Sequence, residues 1–294
     1  MLQSVSGIGI DAARIARDTP VHQLSLRFER ERFRVTRQDP PWKVVRAFAL
    51  PRSGSLVHLN NVSGGVLAGD RLALDVEVEA GAAAQITTTG ATRLYRYRVG
   101  AADSEQRARF SVGDGAILEY LPDPVIPYAG SRHKQRTEIR LGRGSTLFWW
   151  EILAPGRHAA GELFAFERLR VQTEVYAGPR AVLREDYLLE PARKELAATA
   201  RMFEYSHTAS LCAIQEGRPP AFWRLLEDRL NELAQVRTEH GKAVWGASML
   251  ASDGVVVRGL SMSGCFIHQT LVEFWRVARL AITGEDAVPP RKIY

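Results

Sequence analysis

The sequence contains little cysteine: its 294 residues include only Cys212 and Cys265. Their separation of 53 positions excludes both a Cys-x-x-Cys zinc knuckle and a disulfide framework. The first twenty residues lack the apolar run of about 7–15 residues that a secretory signal requires. No window approaches the ~18–20 consecutive apolar residues of a membrane span. These absences predict a cytoplasmic protein that has no contact with a membrane.

The chain also lacks a dominant charge of one sign. It carries 39 Lys and Arg against 33 Asp and Glu, a formal net charge of +6, and the acids are interleaved with the bases along most of the sequence. A nucleic-acid-binding stripe requires clustered Lys and Arg, so the pattern disfavours nucleic acid and favours either an acidic protein partner or mild general basicity. With 46% hydrophobic and 24% charged residues, the chain has the composition of a globular protein.

Common catalytic motifs are missing as well. The Gly-rich stretch 60–70 has no Gly-Lys-Ser/Thr ending and no G-x-G-x-x-G spacing, and a strand pattern follows it where a phosphate loop requires a helix. The segment around Ser261 has one residue too many for a serine hydrolase elbow. Cys265 and His268 lie close together, but two ligands make a poor metal site. We interpret this pair as a buried thiol beside a partly exposed imidazole.

Alternating apolar and polar residues are typical of the first two thirds of the chain. Residues 72–89 form two such alternations with a turn at Gly81 between them. The same signature recurs at Val78/Gly81/Ala84/Ile86, Val112/Gly115/Leu118/Tyr120, Leu141/Gly144/Leu147/Trp149 and Val175/Gly178/Ala181/Leu183. Repetition at this spacing predicts a mainly β, solenoid-like body of stacked sheet from about 20 to 215. Unrelated short strands separated by glycine turns are the alternative.

The last part of the chain, 216–294, has a helical pattern. Apolar stripes predict two α-helices near 221–236 and 263–283 that pack on the β body within a single domain, 1–294. Ser263 is a suitable N-cap for the second helix, and Gly284 ends it. The predicted stripes are Phe222, Leu225, Leu226, Leu233 and Val236, then Ile267, Leu271, Phe274, Ala278 and Ile282. The valines at 255–257 predict a short strand between the helices.

Three carboxylates, Glu119, Glu151 and Glu162, lie within apolar runs. Burying such a group is costly unless a cation or water neutralises it. For Glu151 one interpretation is a permanent ion pair with an arginine such as Arg157 or Arg184. The second is a polar cavity or channel lined with carboxylates. A third is general acid/base catalysis by a carboxylate pair, as in a β-solenoid carbohydrate hydrolase.

Several longer motifs occur in a fixed order. They are Asn-x-Ser-Gly-Gly-x-x-x-Gly-Asp at 61–70, Thr-Thr-Thr-Gly-Ala-Thr-Arg at 87–93, and the segments 115–122, 127–132, 150–157, 161–162, 184–185, 257–260, 275–279 and 290–293. Together they resemble the UreD/UreH family of urease accessory proteins, which help to insert nickel into apo-urease. Residues 1–20 match no family motif, and Gly259 stands where a larger apolar residue is expected.

The resemblance implies a scaffold without catalytic residues. It implies partners on two sides: apo-urease, and UreF-type and UreG-type accessory proteins, the latter a GTPase. It also implies an internal tunnel for nickel in transit, with no stably bound cofactor. Carboxylates suit loose binding of a divalent ion, so we expect Asp70, Glu119, Glu151 and Glu162 to line this tunnel.

The second helix is the expected docking site for the UreF-type partner. Phe266, Trp275 and Leu280 lie off its buried stripe, so the helix is apolar on more than one side. Such a helix is either enclosed between layers or presents a face to another protein. We therefore expect these three residues to bind the partner.

Overall fold

Glycine turns connect the alternating segments into two stacked β-sheets. The computed structural model describes residues 20–51, 54–198 and 201–290. Residues 1–19, which match no family motif, and residues 291–294 lie outside these ranges. No helix in the described part of the chain is both long and apolar enough to cross a membrane.

Sheet 1 contains seven strands in the described ranges, in the order β15-β14-β12-β9-β6-β1-β2. They are β1 (Val21–Phe28), β2 (Phe33–Gln38), β6 (Arg71–Val78), β9 (Ser104–Val112), β12 (Arg132–Leu141), β14 (Arg168–Ala177) and β15 (Arg180–Leu189). The five central strands from β14 to β1 are parallel, and β15 and β2 add antiparallel edges.

Sheet 2 contains the other strands of the described ranges, with a main path β17-β18-β16-β13-β10-β7-β5-β3. They are β3 (Trp42–Lys43), β4 (Ala47–Ala49), β5 (Ser55–Asn61), β7 (Ala83–Thr88), β8 (Thr92–Leu94), β10 (Ile117–Tyr120), β11 (Val125–Pro127), β13 (Thr146–Leu153), β16 (His207–Gln215), β17 (Ala243–Met249) and β18 (Gly254–Ser261). Strands β5, β7, β10 and β13 are parallel.

The chain passes between the two sheets at each of the first three predicted repeats. Gly81, Gly115 and Gly144 occupy the turns with φ of +67°, +63° and +63°, a region that favours glycine. Equivalent residues lie side by side: Val112 pairs with Val78 and with Leu141. These stacked coils confirm the solenoid-like prediction.

The fourth predicted repeat is wrong. The turn at Gly178 connects β14 to β15 as an antiparallel hairpin within sheet 1. Its register also differs, since Leu141 pairs with Ala177 where the repeat would place Val175. The glycine signature marks a turn between two strands, and it does not specify whether the second strand returns to the same sheet.

Two apolar layers enclose sheet 2. One lies between the sheets, and the other lies between sheet 2 and two helices, α1 (Pro220–Arg237) and α2 (Gly264–Thr283). Strand β13 contributes to both layers, because Leu147 and Trp149 face sheet 1 whereas Phe148 and Trp150 face the helices. This double burial explains its continuous apolar sequence.

Both helices form close to the predicted bounds. In α2, Ser263 accepts a hydrogen bond from the Phe266 N–H at 3.3 Å, and Gly284 adopts a left-handed conformation with φ of +73°. The complete predicted stripe of α2 is buried. Trp275 is also fully buried, at 0% exposure, so the expectation that it lies off the buried face is wrong.

The predicted stripe of α1 is partly wrong. Leu225 and Val236 are 55% and 73% exposed, although both were expected in the core. The buried residues are Trp223, Leu226, Leu230 and Ala234. Trp223 sets the orientation of α1, because its large side chain fills the layer between the helix and sheet 2. In this orientation Leu225 faces solvent.

The C-terminal part also contains a strand that the sequence analysis missed. Strand β17 pairs with β18 and extends sheet 2, so the part after residue 216 is not only helical. Opposite Gly259, the ring of Trp245 lies so close that a Cβ on the glycine would come within 2.3 Å of it. The tryptophan therefore fills the space of the larger apolar residue expected at 259.

The burial of Trp275 predicts a large loss of stability on truncation. Trp275→Ala should lower the free energy of unfolding by about 3–5 kcal/mol, because it leaves a cavity between α2 and sheet 2. Leu280→Ala on the same helix should cost less than about 1 kcal/mol, because that side chain is half exposed. Denaturant unfolding of both variants measures the difference, and equal losses would contradict the assigned burial.

Candidate functional site

A cavity of about 960 Å3 lies between the two sheets. Strands of both sheets line it, and the segment between β15 and β16 adds Leu196, Arg201 and Met202. Its charged lining residues are Asp123, Glu151, Arg184, Glu185, Asp186, Arg201 and Arg258. The rest of the lining is mostly apolar, and a space of this size with several charged groups on its wall can hold water and a hydrated cation.

Glu151 projects into this cavity from β13. Trp149 and Leu153 share its face of the strand. Gln135 Nε2 donates a hydrogen bond of 3.2 Å to Glu151 Oε1, and Thr173 Oγ1 donates one of 3.4 Å to the same atom. Sheet 1 therefore supplies neutral donors to a carboxylate of sheet 2.

The electrostatic environment of Glu151 favours its neutral form. Burial, together with the negative charge of Glu185, raises the pKa of the Glu151 carboxyl from 4.5 to about 7. The hydrogen bonds from its neighbours oppose this effect. At neutral pH the group therefore exchanges between its protonated and ionised forms.

The first interpretation of Glu151, an ion pair with Arg157 or Arg184, is wrong. Arg157 pairs with Glu162 instead, and Arg184 contacts Glu174 at 2.9 Å. Among the described residues, no Lys or Arg forms an ion pair with Glu151. Glu151 instead faces the cavity, and its part in a carboxylate-lined channel stays a prediction.

Glu119 lies on the opposite face of sheet 2. It is 4% exposed and accepts a hydrogen bond of 2.8 Å from Arg279 Nε of α2. Gln85 Nε2 donates a second bond of 3.2 Å. Burial raises the pKa of the Glu119 carboxyl, and the Arg279 guanidinium acts in the opposite direction. Glu119 thus attaches α2 to the sheet and does not line the cavity.

The remaining two predicted tunnel residues lie in loops. Asp70 accepts a hydrogen bond of 2.8 Å from the Leu67 N–H in the turn before β6. Glu162 pairs with Arg157 and accepts a bond of 3.1 Å from the Ala129 N–H. The Arg157 contact lowers the pKa of the Glu162 carboxyl to about 2. Of the four predicted carboxylates, the cavity contains only Glu151.

Two residues of the cavity were missed as site residues. Glu185 on β15 and Arg258 on β18 form an ion pair across it, with Nη2 and Oε1 2.5 Å apart. Both occur in motifs that carry the family resemblance. Their contact joins two sheets that meet only after folding, so the sequence offers no signal that would pair them.

The Cys265 and His268 pair differs from the sequence interpretation. Cys265 is exposed, whereas His268 packs edge-on against Trp150 with ring centroids 5.8 Å apart. Within the described ranges, no three His, Cys, Asp or Glu side chains are placed to hold a metal ion together.

The three predicted partner-binding residues have different surroundings. Trp275 packs against Trp150, with ring centroids 6.1 Å apart, inside the layer beneath α2. Phe266 is partly buried, and Leu280 is 50% exposed. Of the three, Phe266 and Leu280 present surface to a partner, and their role in binding stays a prediction.

Known proteins are similar in sequence to nearly the whole chain. A family model described as UreD urease accessory protein matches residues 21–293. The chain is similar to urease accessory protein UreD of Herpetosiphon aurantiacus, with 39% identity over 92% of this chain and 94% of that protein. It is also similar to UreD of Lachnoclostridium phytofermentans, at 28% identity over 82% and 86%, and of Opitutus terrae, at 33% over 74% and 76%.

The Glu119–Arg279 pair predicts a strong effect of neutralisation. Glu119→Gln should lower the free energy of unfolding by about 3 kcal/mol, because it leaves the buried guanidinium with only the more distant Glu285 carboxylate, at 3.6 Å, as a counter-charge. The double variant Glu119→Gln/Arg279→Met should lose less free energy of unfolding than the two single variants lose together. Denaturant unfolding of the three variants gives this coupling, and wild-type stability of Glu119→Gln would contradict the assignment.

Neutralising Glu151, unlike neutralising Glu119, should raise the free energy of unfolding near neutral pH. Between pH 4.5 and about 7 the unfolded chain releases this proton while the folded chain retains it, so the wild type loses stability as the pH rises. Glu151→Gln removes that loss. The free energy of unfolding of the variant, relative to that of the wild type, should rise by on the order of 2 kcal/mol over this range. At higher pH the difference should stay constant. Unfolding free energies measured from pH 4.5 to 8 check the trend.

The matched control is Glu138→Gln on the outer face of sheet 1, where Glu138 pairs with Arg140 at 2.8 Å. This control should show no corresponding gain. A stability difference between Glu151→Gln and the wild type that stays constant with pH would contradict the assigned environment of Glu151.

Proposed function

Because the chain belongs to the UreD family of urease accessory proteins, we propose that it binds apo-urease and recruits UreF-type and UreG-type proteins for nickel insertion. The match over residues 21–293 supports this role, since it includes both sheets and both helices. The role is that of a scaffold, and the chain itself catalyses no reaction.

Nickel is the cargo, and its route runs through the cavity between the sheets. The observation that carries this step is the position of Glu151, a carboxylate in the cavity wall with neutral hydrogen-bond donors and, among the described residues, no arginine partner. A single carboxylate with water binds a borderline divalent ion loosely. An entering cation can displace the proton of Glu151, and the proton can return when the cation leaves.

The second helix supports docking of the UreF-type partner. Leu280 lies on its outer face at 50% exposure, and Phe266 lies partly exposed in its first turn. Aromatic side chains such as Phe266 are enriched in protein interfaces, and Leu280 adds exposed apolar area on the same helix. Trp275 contributes indirectly, because it fixes the helix to sheet 2.

The alternative of a carbohydrate hydrolase has less support. A hydrolase requires two carboxyl groups free to act on a glycosidic bond. Within the cavity, Glu185 is engaged by Arg258 at 2.5 Å. The family to which the chain belongs is one of accessory proteins.

The proposed route predicts a defect in nickel delivery. The chain is produced as wild type or Glu151→Gln, together with urease and the UreF-type and UreG-type proteins, in medium with scarce nickel. Urease from cells with the variant should carry several-fold less nickel, because the route loses its ionisable oxygen ligand. Co-purification of apo-urease should match the wild type, and thermal stability should be no lower than that of the wild type. Metal analysis of the purified urease measures the effect.

Glu138→Gln is again the matched control, because it removes the same charge from the outer face of sheet 1. It should leave the nickel content of urease unchanged. Normal nickel content with Glu151→Gln would remove Glu151 from the route. Failure of the wild-type chain to co-purify with apo-urease would refute the scaffold role itself.

A further inference from the structure

A second feature of the molecule is a surface rich in tyrosine and arginine, formed where two chain segments leave sheet 2. After β8 and β11 the segments run side by side: the Tyr128 N–H donates to the Leu94 carbonyl at 2.9 Å, and the Tyr97 N–H donates to the Gly130 carbonyl at 2.8 Å. The loop after β13 adjoins them, since the Gly130 N–H donates to the Ala165 carbonyl at 2.9 Å. These backbone bonds fix the position of the side chains above them.

We call this region the Tyr–Arg surface and define it by Arg93, Tyr95, Arg96, Tyr97, Arg98, Tyr128, Arg132 and Arg157. Its members come from three separate parts of the chain. Neither the cavity nor the contacts of α2 include any of them. The proposed nickel route therefore leaves this surface without a role.

Aromatic rings hold two of the guanidinium groups in place. The guanidinium carbon of Arg132 lies 3.9 Å from the centre of the Tyr97 ring, and that of Arg157 lies 4.7 Å from the centre of the Tyr128 ring. Tyr128 in turn packs edge-on against Tyr95 at 5.3 Å. A guanidinium held by a ring is already oriented, so it loses less freedom when its remaining N–H groups bind a planar acceptor.

The surface holds more positive than negative charge. Glu162 pairs with Arg157, and Glu167 contacts Arg132 at 2.5 Å. The other three arginines, at 93, 96 and 98, are exposed and form no ion pair with the described residues.

Two of these three arginines are also oriented by the backbone. Arg93 Nη1 donates to the Gly64 carbonyl at 3.2 Å, and Arg96 Nε donates to the Ala129 carbonyl at 3.3 Å. Each of these contacts involves one N–H group, so the remaining donors of the guanidinium face solvent. The three arginines are thus available to a ligand with several acceptor groups.

Exposed apolar side chains border the charged groups. Val99, directly after Arg98, is 100% exposed, and Leu163, directly after Glu162, is 52% exposed. Arginine and tyrosine beside exposed apolar residues are the composition typical of protein interfaces. A binding site for the nucleic-acid backbone would instead favour an uninterrupted basic stripe, whereas Glu162 and Glu167 interrupt this one.

We propose that the Tyr–Arg surface docks a carboxylate-rich segment of a protein partner. The arginine forks bind Asp and Glu side chains in pairs of parallel hydrogen bonds, and the tyrosines pack against the apolar parts of the same segment. This inference rests on the proposed function for the identity of the partners tested, which are apo-urease and the complex of UreF-type and UreG-type proteins.

The test reverses charge at the three unpaired arginines. Arg93→Glu, Arg96→Glu and Arg98→Glu are combined in the full chain, and affinities are measured for purified apo-urease, for the purified UreF-type and UreG-type complex, and for a single-stranded DNA oligonucleotide. The triple variant should bind one of the two protein samples at least about tenfold more weakly. In the wild type, that same interaction should weaken steeply as salt is added.

The matched control has the same change in net charge elsewhere. Arg107→Glu, Arg140→Glu and Arg143→Glu lie on sheet 1 and the turn beyond it, with side chains 56%, 63% and 91% exposed. This variant should retain wild-type affinity for both protein samples. Equal weakening by the two triple variants would show a general effect of charge and overturn the proposal.

A second pair of variants tests the aromatic platform without changing charge. Tyr97→Ala removes the ring beneath Arg132 and should weaken the same interaction several-fold, whereas Tyr97→Phe keeps the ring and should bind as the wild type does. Thermal unfolding shows whether each variant is folded. If the triple reversal unfolds, the corresponding Arg→Gln triple replaces it with the same expected direction.

The outcomes separate this inference from the proposed function. Wild-type binding that the Arg variants leave unchanged overturns the inference and leaves the scaffold role intact. A wild-type chain that binds neither protein sample overturns both. Loss of DNA binding alone, with both protein affinities unchanged, would assign the surface to nucleic acid and overturn the proposal.

Discussion

The burial of β13 on both faces requires two apolar layers, and the rest of the molecule supplies them. Sheet 1 covers Trp149 and its neighbours on one face, and α2 covers Trp150 on the other. The stacked coils hold sheet 1 at packing distance from β13. The caps of α2 fix the length of the helix that packs on the other face of the strand. Glu151 interrupts this strand on the inner face, so the single polar side chain in the run of six residues from Leu147 to Ile152 opens onto the cavity.

Periodicity in the sequence predicted the local elements well and their pairing less well. Three glycine turns and the limits of α2 follow from residues close together in the chain, which is why they could be predicted. The turn at Gly178 has the same local signature, yet it ends the coil, because the next strand pairs within its own sheet. Strand β17 was missed because alternate residues along it are small, and its apolar contribution rests largely on Trp245.

The carboxylates show why the site was harder to predict than the fold. Glu119 and Glu151 each lie among apolar residues, so both were expected to line the same tunnel. Their surroundings differ because they lie on opposite faces of sheet 2, one beneath α2 and one above the cavity. Arg279 reaches Glu119 across 160 positions of sequence, and no local pattern contains a contact over that separation. The position of Glu151 in a polar space was among the expected alternatives, whereas the pairing of Glu185 with Arg258 was not.

The hairpin of β14 and β15 has a further consequence for how the molecule meets other copies of itself. If the coil ended in an unpaired parallel strand, that strand could pair with the edge of another copy of the chain. Repeated pairing of this kind produces fibres. Here the last coil is followed by a strand running in the opposite direction, and Arg180, Arg184 and Asp186 place charge along that edge. Strand β2 closes the other end of sheet 1 in the same antiparallel manner. The charged side chains and the register shift in each edge pair thus disfavour edge-to-edge pairing of sheet 1.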